Sequence, residues 1–232
     1  MSIYAISDLH LSFNTDKPMN IFGDNWKNHE KKIQESWITT IKNEDTVLLP
    51  GDFSWGMTFE EAKLDFEYLN RLPGRKIMLK GNHDYWWGTL NKIKAFFKSN
   101  NFNDIDILYN NSYLVEDKII CGTRGWTISG NDEENEKIYK RELLRLEISL
   151  KDGINKYGES KEIIVCMHYP PTNDTLLENS EFIQIMKKYN VKKCVYGHLH
   201  GEAHKEAIEG YIDRIEIKLV SCDYTEFKLI SL

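Results

Sequence analysis

The sequence has no Cys-x-x-Cys pair, no basic surplus, no apolar run of membrane-spanning length and no internal repeat. Each absence removes a class of protein. The four cysteines (Cys121, Cys166, Cys194, Cys222) lie far apart, and three sit in apolar runs such as Ile163-Ile164-Val165-Cys166-Met167. That spacing argues against a structural zinc site and predicts buried thiols in a reducing compartment. Acidic residues outnumber basic ones, 36 to 30, for a formal charge of -6. No broad basic face is implied, so nucleic acid is not an expected partner. No apolar run approaches the roughly 20 residues of a membrane span. Met1-Ser2-Ile3-Tyr4-Ala5-Ile6-Ser7 has no basic lead-in and reads as a strand, not a signal peptide. A cytoplasmic setting is expected. No Pro-, Gly- or Ser-rich stretch marks a linker, so residues 1–232 are expected to form one domain.

What is present suits a well-filled globular core: 41% hydrophobic residues, with 12% aromatics. The first half alternates strands (2–7, 46–50, 75–80) with helices (26–42, from Thr58 to 72, and 89–98). Short strands at 106–109, 113–116 and 118–121 follow and read as antiparallel. A long helix is expected over about 132–156. Tyr139, Leu143, Leu146 and Leu150 would form its apolar stripe, with Arg141, Glu142, Arg145 and Glu147 on a solvated face. Then come strand 162–167, helix 178–189 and strand 193–196. Residues 202–232 alternate and read as antiparallel strands. Such units suggest two packed mixed sheets covered by helices.

The chemistry-bearing residues fall repeatedly just past strands, where α/β proteins gather their sites. The first strand ends in Asp8-Leu9-His10, the second in Gly51-Asp52, and the third in Gly81-Asn82-His83-Asp84. Two later strands end in His168 and in Gly197-His198-Leu199-His200. Five of the seven histidines lie in these loops; only His29 and His204 fall outside. Taken singly, each is ordinary: Asp8 as a turn or cap residue, Gly-Asp as turn punctuation, His198 and His200 as exposed edge histidines. Independent turn residues would not fall at the same end of strand after strand. Imidazoles mixed with carboxylate and amide oxygens, without thiolates, suit divalent manganese, iron or zinc.

In their order, D-x-H, G-D, G-N-H-D, a lone His and G-H-x-H resemble the motifs of calcineurin-like metallophosphoesterases, over residues 8–200. The subgroup most resembled is the bacterial predicted phosphohydrolase type. The resemblance implies a four-layer α/β/β/α sandwich of two mixed sheets flanked by helices. It implies two divalent cations, one held by Asp8, His10 and His200 and the other by Asn82, His168 and His198, with Asp52 bridging. His83 would serve the leaving oxygen or the phosphoryl charge, and Asp84 would orient His83. Paired cations acidify a water and neutralise phosphoryl charge. The expected reaction is hydrolysis of a small phosphorylated substrate, a phosphodiester before a monoester. The alternatives are a non-catalytic metal-binding scaffold on the same fold, or a nuclease. One departure stands out: Trp55 occupies a position where the family often has Asp or Asn. Arg124 could grip a phosphate and Trp126 could stack on a base, or the two could form a plain hairpin turn. Phe53, Trp55, Tyr85, Trp86 and Trp87 would form either a wall of the site or core.

Overall fold

Thr46-Val47-Leu48-Leu49 is buried at all four positions, as a strand covered on both faces must be. In the computed structural model, which describes residues 1–127, 133–172 and 180–232, this strand (β2, Thr46–Leu49) lies mid-sheet. The other strands of its sheet are β1 (Ile3–Ala5), β3 (Arg75–Met78), β4 (Ile105–Ile107) and β11 (Ile230–Ser231). The order is β11-β1-β2-β3-β4, parallel except at β11. The second sheet contains β5 (Tyr113–Val115), β6 (Lys118–Thr123), β7 (Glu162–Met167), β8 (Lys193–Tyr196), β9 (Gly210–Ile212) and β10 (Ile215–Leu219). Its order is β5-β6-β7-β8-β10-β9, with β5 and β9 as antiparallel edges.

Alternation along each strand assigns the layers. Leu48 faces inward and meets Ile3, Ala5 and Ile77 of its own sheet and Ile120, Ile164 and Val195 of the other. Val47 and Leu49 face outward, onto a layer that includes Trp37, Phe66 and Ile93. These come from α1 (His29–Thr40), α2 (Phe59–Arg71) and α3 (Leu90–Asn100). On the far side, Val165 and Cys194 pack under Leu146, Leu150, Phe182 and Met186, from α4 (Glu133–Tyr157) and α5 (Glu181–Lys188). The result is the expected α/β/β/α sandwich. Each fully buried Leu, Ile or Phe contributes about 1.5–3 kcal/mol. Helix starts follow the sequence: Thr58 accepts from the Glu61 N–H at 3.2 Å and Thr89 from the Lys92 N–H at 3.4 Å.

Some expectations need correction. β4 does not join an antiparallel group; it pairs parallel with β3, because the chain returns through α3 to the same edge. In the last segment Gly201–Glu206 forms a 3-10 helix, and β10 runs parallel to β8. Glu142 is not on a solvated face: it is fully buried where α4 crosses the end of β6. There it accepts from the Thr123 hydroxyl at 2.8 Å and pairs with Arg145 at 2.7 Å. Thr123 and the arginine compensate a charge that the helical pattern alone places outside. The expected first turn of the helix at 178–189 falls partly outside the described residues. All four cysteines are free and buried. Among the described residues, no helix is long and apolar enough to cross a membrane.

Candidate metal centre

β1, β2 and β3 run parallel, as do β6, β7 and β8, and the loops leaving β1, β2, β3, β7 and β8 converge on one spot. The backbone there is unusual. Asp8, His10, Asp52 and His198 all have positive φ, at 60°, 44°, 51° and 76°. For residues with a Cβ this conformation costs about 1–3 kcal/mol each. Cross-loop bonds hold it: Asp8 N–H to Gly51 O and His10 N–H to Asp52 O, both 3.0 Å. The His198 N–H meets both Asp8 carboxylate oxygens at 3.1 Å and so ties the two sheets together. Two glycines permit this closeness. A Cβ on Gly81 would collide with the Asp52 carboxylate and amide, and one on Gly197 with Asp8 and Ser7.

All seven residues expected as ligands meet here. His10 Nε2 lies 3.3 Å from His200 Nε2, and His200 Nε2 lies 3.4 Å from Asp8 Oδ1. Asn82 Oδ1 lies 2.7 Å from His168 Nε2 and 2.9 Å from His198 Nδ1. Between these groups, Asp52 Oδ2 stands 3.8 Å from His10 Nε2 and 3.5 Å from His168 Nε2. Among the described residues, three clusters have the compactness of a cation site: Asp8, His10 and His200; Asp8, Asp52 and His168; and His200, His204 and Asp223.

The electrostatics fit a bound cation. Burial pushes the Asp52 pKa well above the usual carboxylate range, and the Asp8 and Asp84 carboxylates add to it. No Lys or Arg pairs with Asp8 or Asp52 among the described residues; the groups that face these carboxylates are imidazoles. Asp8 is held well below its ordinary range: burial opposes this, but bonding and attraction to His200 lead the interactions that outweigh it. Burial holds His10 and His198 below their usual values and His168 at about 3. These are neutral imidazoles, as ligation requires. Burial also opposes charge on His200, yet bonds to Asp223 and Asp8 raise it to about 10, so the field favours a cation there.

His83 stands beside the cluster, its ring centroid 4.6 Å from that of Trp55 and 5.8 Å from that of His10, with Nδ1 unpartnered. Burial lowers its pKa. Asp84, expected to orient His83, makes no hydrogen bond to the His83 ring among the described residues. Its Oδ2 accepts from Gly81 N–H at 2.7 Å and Asp52 N–H at 3.0 Å. Its Oδ1 accepts from Phe53 N–H and the Trp86 indole at 3.0 Å each, and from Ser54 N–H at 3.4 Å. Five donors converge on it from the G-D and G-N-H-D loops, and the His83 ring is not among them.

The aromatic residues divide between the two readings. Phe53 and Trp86 are core. Trp55, at the departure position, stacks on His10 at 4.8 Å and 21°. With Met19, Phe22, Trp26, His83 and His200 it lines a cavity of about 230 Å³. Trp87 and Arg124 line another, of about 350 Å³. Tyr85 is half-exposed. Trp126 carries the Arg124 guanidinium over its ring at 4.7 Å and donates to Asn135 at 3.0 Å. The sequence reading missed Asp223, whose Oδ1 lies 2.8 Å from His200 Nδ1 and whose Oδ2 lies 3.2 Å from His204 Nε2. It also missed Ser221, which donates to Asp8 at 3.0 Å. A signal existed: Ser221-Cys222-Asp223 lies just past β10, the strand-end position that marks the other residues.

A two-sheet sandwich whose strand ends gather buried imidazoles around buried carboxylates has the build of a metallohydrolase. The chain belongs to the calcineurin-like phosphoesterase family, whose profile matches residues 1–202. It is 26% identical over 224 residues to a probable cyclic nucleotide phosphodiesterase of Coxiella burnetii, covering 87% of this chain and 77% of that one. It is 30% identical over 78 residues to the Gene 66 protein of Mycobacterium phage L5, 34% of this chain and only 37% of that protein. Among solved structures it resembles TT1561 of Thermus thermophilus, with a TM-score of 0.59 and 12% identity over 99% of this chain and 97% of that one. A protein of unknown function from Aquifex aeolicus gives a TM-score of 0.53 and 20% identity over 99% and 95%. At those identities the structural likeness speaks for the fold alone. The chain is thus a phosphoesterase, a hydrolase, with residues that could hold a metal.

Proposed function

We propose that this single-domain protein is a cytoplasmic phosphodiesterase working with two divalent cations, manganese, iron or zinc. The observation that carries the reading is Asp52 Oδ2, within 3.8 Å of His10 and 3.5 Å of His168, one from each ligand group. Asp8, His10 and His200 would hold one cation, Asn82, His168 and His198 the other, and Asp52 both. Such a pair, when bound, supplies charge neutralisation at the phosphoryl oxygens and an acidified water.

The chain's own residues do the rest. Asp84 fixes the Asp52 loop against the Asn82 loop through its five donors. Asp223 holds His200 through Nδ1, so Nε2 faces the cluster. His83, with Nδ1 unpartnered and its pKa lowered by burial, gives an N–H bond to the leaving oxygen as negative charge gathers there, and transfers a proton only from the imidazolium form, after taking one up from solvent. The leaving group then lies toward the cavity walled by Trp26, Trp55 and Phe22, which His83 shares. Arg124 takes a substrate anion, with Trp126 stacked behind it. The Coxiella burnetii relative's name supports a diester, and four free thiols suit the cytoplasm. The test is a manganese-supplemented screen of mono-, di- and cyclic phosphate compounds. Turnover concentrated in the diesters is expected; turnover of monoesters alone, or of none, rejects the reading.

A further inference from the structure

Among the described residues, the cavity of about 350 Å³ beside the cluster is lined by Lys80, Arg124, Arg141 and Arg145 against a single carboxylate, Glu142. In a chain of net charge -6, that is a local surplus of three positive charges. Glu142 is shared: Arg145 meets it at 2.7 Å and Arg141 at 3.3 Å. Arg145 is fixed further by a 2.9 Å bond to the Tyr109 hydroxyl. Among the described residues the other two cations make no ion pair, although the Arg124 guanidinium lies over the Trp126 ring. Arg124 Nε is buried with no hydrogen-bond partner, and Lys80 has no ion pair among the described residues. The N-terminus of α3 also opens here, through Thr89 and Leu90. Guanidiniums held this way form a planar, forked receptor for an oxyanion.

None of the seven candidate ligands lines this cavity, but its backbone adjoins theirs. Lys80 is two residues from Asn82, so their Cα atoms lie within about 7 Å. The Arg124 carbonyl accepts from the His168 N–H at 3.1 Å and the Tyr169 N–H at 2.9 Å. The space exceeds one phosphate and leaves room for part of a connecting group against Leu79, Leu108 and Trp87.

We propose that this cleft binds a second phosphate of the substrate, joined by a short spacer to the scissile diester. The preferred substrates are then phosphodiesters that also carry a terminal phosphate. This rests on the diesterase reading above. Three surplus charges match a dianionic phosphate better than a single carboxylate, and they select it over a neutral end of equal size.

The test uses the full-length, manganese-loaded protein and p-nitrophenyl phosphodiesters with short alkyl arms of increasing length, ending in phosphate or in hydroxyl. The phosphate end should raise kcat/KM at least about ten-fold at one arm length, as charge-assisted bonds of this kind do. Arg141→Gln, at a half-exposed position, and Arg124→Gln should each cut that ratio about ten-fold. Independently, calorimetry should show inorganic pyrophosphate binding to the chelator-treated full-length protein, about ten-fold weaker in each variant. Equal kcat/KM for both ends at every arm length, or a ratio that survives both substitutions, overturns the proposal. The two readings fail separately. Pyrophosphate binding lost in the variants, without turnover of any diester, would retain the cleft and sink the diesterase. Diester turnover without pyrophosphate binding or end-group preference would sink the cleft alone.

Discussion

Replacing Asp84 by Asn removes one carboxylate oxygen and little volume, and the structure predicts a large effect on stability. An Asn oxygen can keep the Oδ1 side, where Phe53, Ser54 and Trp86 donate. Its amide group must then face the N–H groups of Gly81 and Asp52, which now meet Oδ2 at 2.7 and 3.0 Å. Two charge-assisted bonds are lost, at about 1.5–3 kcal/mol each. Burial already raises the Asp84 pKa, so discarding the buried charge returns part of that. A net loss of about 2–4 kcal/mol remains, a sizeable share of a domain's stability. Because the Asp52 and Asn82 loops are the ones released, metal affinity should fall with stability. Urea denaturation with and without manganese measures both. If Asp84 instead oriented His83, Asp84→Asn would slow turnover while leaving the urea midpoint and the metal content alone, and that result would refute the reasoning.

His83→Ala should retain metal and lose about 10²–10⁴-fold in turnover of bis-p-nitrophenyl phosphate, whereas Asp52→Ala should lose metal; equal metal loss in the two variants contradicts their separate roles. Asp223→Ala frees the His200 ring and should weaken metal binding about 10–100-fold, read by competition with a chelator; unchanged affinity would show that Asp223 does not position the ligand. Asp65 is fully buried, accepts from Phe13 N–H at 2.9 Å, and has its pKa raised by burial to about 6. The folded state therefore holds this proton more tightly than the unfolded chain, and stability falls as pH rises from about 4 to about 6, by up to about 3 kcal/mol. Asp65→Asn should flatten that slope in denaturation series at pH 4 and pH 7; a slope identical to the parent's would count against the buried charge.

The layers were legible because burial writes alternation into strands such as Thr46–Leu49 and a 3.6 period into helices such as α2. The metal residues were legible for a related reason: loops at strand ends escape the packing rules, so Asp8, Asp52 and His168 stand out against the apolar runs before them. What stayed hidden depends on contacts distant in sequence. Nothing local reveals that β4 pairs parallel with β3, since register is settled by the helix between them. Glu142 looks exposed by periodicity, and only Thr123 and Arg145 explain its burial. Asp84 looked like a partner for its neighbour His83, yet its donors come mostly from the Asp52 loop, some thirty residues away. Asp223 sits at a strand end like the others, but without a histidine or glycine beside it the position carried no motif.

The most direct test is metal stoichiometry, by inductively coupled plasma mass spectrometry on full-length protein saturated with manganese and freed of excess. Two ions per chain, falling sharply in Asp52→Ala together with bis-p-nitrophenyl phosphate turnover, is the predicted result. A chain that retains no ion, or only one whose loss leaves turnover intact, would contradict the account.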